Sequence, residues 1–329
     1  MTLTRTSSPP AGVAVSTIGG LVRILALLAA LLLGSFAGLA QTTLTIGGTA
    51  YSLTSGHPRI GFTPAKLATI RGQIFATLPR PATATTAYAP GTVFSSTAAA
   101  DRDRMRYANG YKGLKSQGET YLTGDAAHDP TQSAYVPGNA WARKVLARQQ
   151  TFASLYLLDG DPRWLTKATA ELLKICAFKY TPSKVNKANG GWNGTDGGDF
   201  LETSVWTVTT SIGYDWLYAG LSAQDRTTIQ NAILTRGLKY GIGQLNANAF
   251  WAQTLGNWGL ICNGGLGVGA LAVADVDAGT AQDVLTRVNT DYREVMKLYA
   301  PDGGSLEGLT YWAYGLDTRC TSSTPYKRP

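Results

Sequence analysis

Histidine is nearly missing from this sequence: 329 residues contain two, alongside three cysteines. So few soft ligands leave little to hold a transition metal. No His/Cys/Asp grouping has ligand-like spacing, so no metal is expected. A Ser-His-Asp set and a glycine-rich phosphate loop after a strand are also missing, and no cofactor is expected. Cys176, Cys262 and Cys320 are too few for a disulfide framework, and two of them lie in helix-like apolar runs, so they read as small buried hydrophobes. His57 precedes Pro58 in an extended stretch, and His128 lies in the polar run GDAAHDP; both read as surface loop residues. Charge is scarce as well. Only 15% of residues are charged against 44% hydrophobic, which argues for a well-buried globular chain and against disorder. Lys and Arg outnumber Asp and Glu by 29 to 21, and the formal net charge of +8 attracts polyanions. No Lys/Arg-rich run stands out, so nucleic acid is not expected as a partner.

What is present begins with an export signature. Arg5 and Arg23 precede the apolar run Ile24 to Phe36, and the small residues Ala37-Gly38-Leu39-Ala40 follow. The apolar core is short for a membrane span, and small residues suit a signal peptidase. Residues 1–40 therefore read as a secretory signal cleaved before Gln41, with an uncleaved anchor as the alternative. The expected location is secreted or periplasmic, with no stable membrane partner after cleavage. A basic, exported chain without nucleic-acid features points toward an acidic polysaccharide.

Residues 41–62 read as an extended N-terminal segment. TTLTIGGTAYSL alternates and predicts a short β-hairpin turning at Gly47-Gly48. Thr63-Pro64 reads as an N-cap with proline at the first helical position, opening a helix over 65–76. Leu78 to Thr97 is Pro/Thr/Ala-rich and reads as loop, and a further helix is expected over 98–121.

From there the punctuation becomes regular. Trp141, Val145, Phe152, Leu155 and Leu158 recur at helical spacing until Asp159-Gly160, and Asp161-Pro162 starts a partner helix. After the loop NKANGGWNGTDGGD, helices are expected over about 199–218, from Ser222 with a capping box to Asp225, over 257–274, and over 282–299 with Thr280 and Asp283 repeating the capping arrangement. The first members of these pairs start near 141, 199, 257 and 309. A unit recurring every fifty-odd residues without strands signals stacked αα-hairpins in an all-α fold. Alternating connections would close them into a toroid of inner and outer helices spanning 63–316; an open solenoid is the competing architecture. In a toroid, Glu202, Asn257 and Tyr311, each near the start of an inner helix, would meet at one mouth.

Five segments, HPRIGFTPAKLATIR, LYLLDGDPRWLTKA, IGYDWLYAGLSAQDR, GNWGLICNGGLGVGAL and APDGGSLEGLTYWAYG, resemble in this order the heparinase II/III-like polysaccharide lyases. The resemblance implies an incomplete (α/α) toroid followed by a C-terminal β-sandwich, and eliminative cleavage of uronate-containing glycans. It matches Asn257 to the position that holds the uronate carboxylate and Tyr311 to the catalytic tyrosine, with Tyr314 as an alternative one turn away. Trp192, Glu202, Trp206, Trp258, Glu307 and Trp312 are the expected substrate contacts. Each has a plainer reading: Trp and Tyr at helical spacing pack cores, Asn257 can cap its own helix, and Glu307 can complement a helix dipole.

The sequence departs from the family pattern in two places. Trp258 stands beside Asn257 where the family often has a second proton-transfer histidine, and no histidine follows His128. Residues 317–329, ending CTSSTPYKRP, match neither a helix nor the family. The expectation is a polysaccharide lyase domain without the remaining toroid helices or the β-sandwich, with a truncated inactive remnant as an alternative. Two other functions stay open at this point: a non-catalytic glycan-binding toroid, and a helical-toroid glycoside hydrolase drawing a carboxylate pair from Asp199, Glu202 and Glu307.

Overall fold

The computed structural model describes residues 42–53, 56–77, 99–134, 136, 138–178, 192 and 200–317. The signal-like segment, the loop 78–97, most of the glycine-rich loop around Trp192, Asp199, Cys320 and the tail beyond 317 lie outside the described residues. The chain is mostly helical, and the one sheet among the described residues is a two-stranded hairpin.

β1 (Thr43–Ile46) and β2 (Thr49–Ser52) pair antiparallel, Ile46 opposite Thr49. Gly47 and Gly48 form the two-residue turn, both at positive φ (57° and 80°), which glycine adopts without steric cost. α1 (Pro64–Thr77) opens as predicted: the backbone N–H of Lys66 donates to Thr63 Oγ1. α2 spans Ala99–Thr123.

The hairpins follow. α3 (Asn139–Asp159) is closed by Gly160 at φ 74°. Its partner α4 (Pro162–Cys176) starts with Pro162 and an Asp161 side chain that accepts from the Arg163 N–H. α5 (Leu201–Leu217) is followed by α6, which runs from Ala223–Ala232 through a π-helical stretch, Ile233–Lys239, into Tyr240–Asn246. Ser222 Oγ accepts from the Asp225 N–H and donates to the Asp225 carboxylate, as expected of that cap. α7 (Asn257–Val273) pairs with α8 (Ala278–Met296), and α9 (Gly308–Asp317) ends the described chain. Two caps differ from expectation. α8 is capped by Asp277, whose carboxylate accepts from the Thr280 N–H and hydroxyl, so the helix begins earlier than the Thr280 pattern implies. The N-cap of α7 is Gly256, with Asn257 already inside the helix.

Helices α3, α5 and α7 lie side by side and parallel. At their starts, the Gly138 N–H just before α3 donates to Glu202 Oε2 in α5 (3.1 Å). Ser204 Oγ in α5 donates to the Ile261 carbonyl of α7 (2.7 Å). At their ends, Tyr156 and Leu157 of α3 line the same cavity as Asp215 and Trp216 of α5. α4 and α8 run back along the outside, so that Val295 late in α8 packs near Gly259 early in α7.

Sequence explains the intimacy of α5 and α7. α7 is glycine-rich, and a Cβ on Gly265 would lie 2.1 Å from Ser204 Oγ, while one on Gly269 would lie 2.8 Å from Thr207 Cγ2. Both helices are buried almost all round. Three buried threonines of α5 bond within the helix, Thr207, Thr209 and Thr210 donating to the carbonyls four residues earlier. No helix among the described residues is long and apolar enough to cross a membrane.

Candidate functional site

The starts of α3, α5 and α7 face one end of the bundle, and α9 lies against α7 and reaches α3 there. Gly315 of α9 is seated on α7, where an added Cβ would be 3.0 Å from Leu260 Cδ1 and 3.5 Å from Asn257 Cα. The preceding residue, Tyr314, reaches the start of α3. Asn139 Nδ2 donates to its hydroxyl oxygen, and the Arg143 guanidinium lies over its ring at 3.9 Å from the centroid. Tyr311, one turn earlier, meets Tyr314 edge to face at 6.4 Å and is 52% exposed. Its hydroxyl has no hydrogen-bond partner among the described residues.

Asn257 is only 4% exposed, and it is held by Glu307. Glu307 Oε2 accepts from the Asn257 backbone N–H (2.8 Å) and Oε1 from its side-chain Nδ2 (2.6 Å). Asn257 is thus neither the cap of its helix nor a bystander. The carboxylate from the loop before α9 supplies the cap, and it gains from the positive end of the α7 dipole.

The other expected contacts separate into rim and core. Glu202 is buried, its two oxygens accepting from the Gly138 N–H and from Trp206 Nε1 (both 3.1 Å). Trp206 is fully enclosed by Trp141 and Phe178 and offers no face to a sugar. Trp192 is also buried, with Nε1 donating to the Ile175 carbonyl and Arg236 over its ring. Trp258 is half-buried against Phe250, and Trp312 stays partly open while its Nε1 donates to the Gly303 carbonyl. Three residues therefore remain at the rim with a presentable face or group, Tyr311, Tyr314 and Trp312, and Asn257 lies just beneath, covered by Glu307. Asn139 and Arg143 complete the rim. Sequence reasoning missed both, because at the start of α3 they look like ordinary solvated helix residues.

His57 corrects a sequence expectation outright. It is not a surface residue: its side chain is sealed at the opposite end of the bundle, where α5 and α7 finish. Nδ1 pairs with Asp215 Oδ1 at 2.5 Å, Arg59 approaches Nε2 at 2.6 Å, and the ring stacks on Tyr218. Asp215 also accepts from the backbone N–H groups of Arg59 and Ile60, and Arg59 pairs with Asp275 at 3.0 Å. This ties the HPRIGF segment to two helices. Burial lowers the imidazole pKa, but the hydrogen bonds with Asp215 and Asp275 outweigh it, and the net direction is upward from 6.5. Burial opposes ionisation of Asp275 too, yet His57 and Arg59 pull its carboxyl down to about 2.

The signs follow by linkage. A raised histidine pKa contributes stability that is complete below pH 6.5 and is lost as the pH rises through the folded value. The depressed Asp275 contributes stability that is lost as the pH falls from 3.8 toward 2. The protein is expected to be more stable at pH 6 than at pH 8, and thermal unfolding of His57→Asn should show a smaller change across that interval. An unchanged slope would assign the pH dependence to other groups.

His128 sits in a 3₁₀ turn with Nδ1 2.7 Å from Asp125 Oδ1. Among the described residues, no group of three or more His, Cys, Asp or Glu side chains is placed to hold a metal ion. Burial pushes the Cys176 thiol up to about 12, which leaves it inert at neutral pH. No family model matches the sequence, and no curated protein matches it.

Proposed function

We propose that the chain is the helical domain of an exported polysaccharide lyase, an incomplete (α/α) toroid that cleaves uronate-containing acidic glycans by β-elimination. The observation that carries this reading is the seat at the start of α7: a main-chain N–H and the Asn257 amide already hold a carboxylate through both of its oxygens, beside two phenols on α9. The parallel packing of α3, α5 and α7 with α4 and α8 outside supports the toroid.

The chemistry assigns the parts. A uronate carboxylate bound at Asn257 would have its charge countered by the amide and the helix end, which lowers the cost of the enediolate that forms when the C5 proton leaves. Tyr314 takes that proton. It does so as the phenolate and leaves the step as the neutral phenol, with the Asn139 amide on its oxygen and the Arg143 guanidinium over its ring placed to accompany the anion. The C–H electron pair becomes the C4=C5 double bond, the C4–O4 bond breaks, and Tyr311 gives its proton to the departing O4. Two phenols three residues apart on one helix face thus fill the roles for which the sequence has no second histidine.

The hydrolase alternative finds less support. Both oxygens of Glu202 and both of Glu307 are committed to protein donors, so neither is presented as a free acid or base. The test is direct. Incubation with uronate polymers should generate the near-ultraviolet absorbance of an unsaturated uronate, and Asn257→Ala should abolish it. Reducing ends that appear without that absorbance would replace elimination by hydrolysis.

A further inference from the structure

The carboxylate seat at Asn257 is filled by the protein itself, and we propose that Glu307 is an internal stand-in for the substrate carboxylate: an autoinhibitory strap that uronate must displace. The inference rests on the function proposed above for Asn257.

Glu307 uses both oxygens on two donors of one residue, the arrangement a ligand carboxylate would adopt at a helix start. Two carboxylates cannot share those donors, because like charges a few ångströms apart in a partly enclosed site repel strongly. Substrate and Glu307 therefore compete. The approach path is shaped for such a group. Gly256 precedes Asn257, and a Cβ there would come within 2.9 Å of Glu307 Oε1, so only glycine leaves the seat open to any carboxylate.

The segment that carries Glu307 is built to move. Gly303 (φ 89°) and Gly308 (φ 80°) bracket it at conformations that glycine adopts readily. Between them, Gly304 bonds back to Asp302, and Glu307 and Gly308 bond back to Ser305. Among the described residues, Glu307 supplies the only hydrogen bonds between this segment and α7. Leu306 is 99% exposed and Leu309 is 85% exposed, so apolar packing does not pin the segment either. Release of the one carboxylate would free residues 304–307 from α7, while Gly303 stays anchored through the Tyr299 carbonyl and Trp312 Nε1 and α9 keeps its phenols beside the seat.

A competitor that occupies the seat most of the time lowers apparent affinity in proportion to its occupancy. The experiment titrates the full chain and its Glu307→Ala variant with D-glucuronate, and with D-glucose as the uncharged control. Binding is read by calorimetry and by the ¹⁵N resonances of the Asn257 main-chain and side-chain N–H groups. The expected result is glucuronate binding at least about tenfold tighter in the variant, with both Asn257 signals shifting and no response to glucose. Circular dichroism checks the fold. If loss of the cap unfolds the alanine variant, Glu307→Gln keeps one acceptor without the charge, and the same direction with a smaller gain is expected. Equal affinity in variant and parent, or binding by neither, overturns the strap. So does a variant that turns over polymer more slowly without binding glucuronate more tightly, since Glu307 would then only position Asn257. Because glucuronate binding needs no turnover, the two readings part cleanly: tighter binding without any unsaturated product keeps the strap and sinks the lyase, and unsaturated product without tighter binding does the reverse.

Discussion

Tyr314→Phe is expected to lower kcat on a uronate polymer by about 10²–10⁴-fold, the usual scale for removing a positioned proton-transfer group, with KM little changed. The substitution leaves the ring beneath Arg143 and deletes only the oxygen that Asn139 donates to. Its effect on folding should therefore be about 1 kcal/mol, the size of one lost hydrogen bond. Arg143→Met serves as the companion variant. It keeps the packing volume and removes the cation, and if the guanidinium supports proton transfer at Tyr314, kcat should fall while the fold is kept. Full activity in Tyr314→Phe would move the base to Tyr311, the residue that the family resemblance favours. The two outcomes differ in kcat by orders of magnitude, so initial rates are enough to decide.

The second large effect is on stability. Arg148 in α3 is fully buried, with a guanidinium N 2.6 Å from Glu171 Oε1 and 3.6 Å from Asp129 Oδ2. Lys167 pairs with Asp129 from the other side, and Thr131 and Gln132 donate to the same carboxylate. The network fastens the loop after α2 to both α3 and α4. Arg148→Ala leaves Glu171 and Asp129 with only the partly exposed Lys167 between them, and breaking a buried pair from one side typically costs about 3–5 kcal/mol. At roughly 2–4 °C per kcal/mol for a domain of this size, Tm should fall by about 6–20 °C. The exposed pair Lys297–Glu294 is the control: both partners sit in water, and Lys297→Ala should move Tm by only a degree or two. The combined variant Arg148→Met with Glu171→Leu should recover part of the loss, because it removes an orphaned carboxylate and fills the volume. Differential scanning calorimetry on the three variants decides the matter, and a negligible shift for Arg148→Ala would show that the network carries little net stability.

Local chemistry made much of this architecture readable. Asp161-Pro162, Ser222 and Gly160 mark helix ends through bonds to neighbours a few residues away, and Gly47-Gly48 declares a two-residue turn. The hairpin starts expected near 141, 199, 257 and 309 fall at Asn139, Leu201, Asn257 and Gly308. What failed to show was anything decided by distant residues. His57 reads as a loop histidine because the polar and proline-rich neighbours say so, while the groups that bury it are Asp215, Tyr218 and Asp275. Trp206 and Trp192 have the composition of a sugar platform, but whether an aromatic faces outward depends on which helix packs over it, and neighbouring positions do not encode that. Asn257 was visible as an amide at a helix start. That Glu307 would cap it from fifty residues away was not.

The lock around His57 also fixes an order of assembly. Arg59 bonds to a carboxylate 216 residues further along the chain, and Ile60 to one 155 residues away. Closing loops of that length is slow and gains nothing until both ends exist. As the polypeptide emerges, its beginning has no docking partner until α5 and α7 have been made and packed together. The HPRIGF segment, made early, is therefore among the last parts of the fold to be fastened.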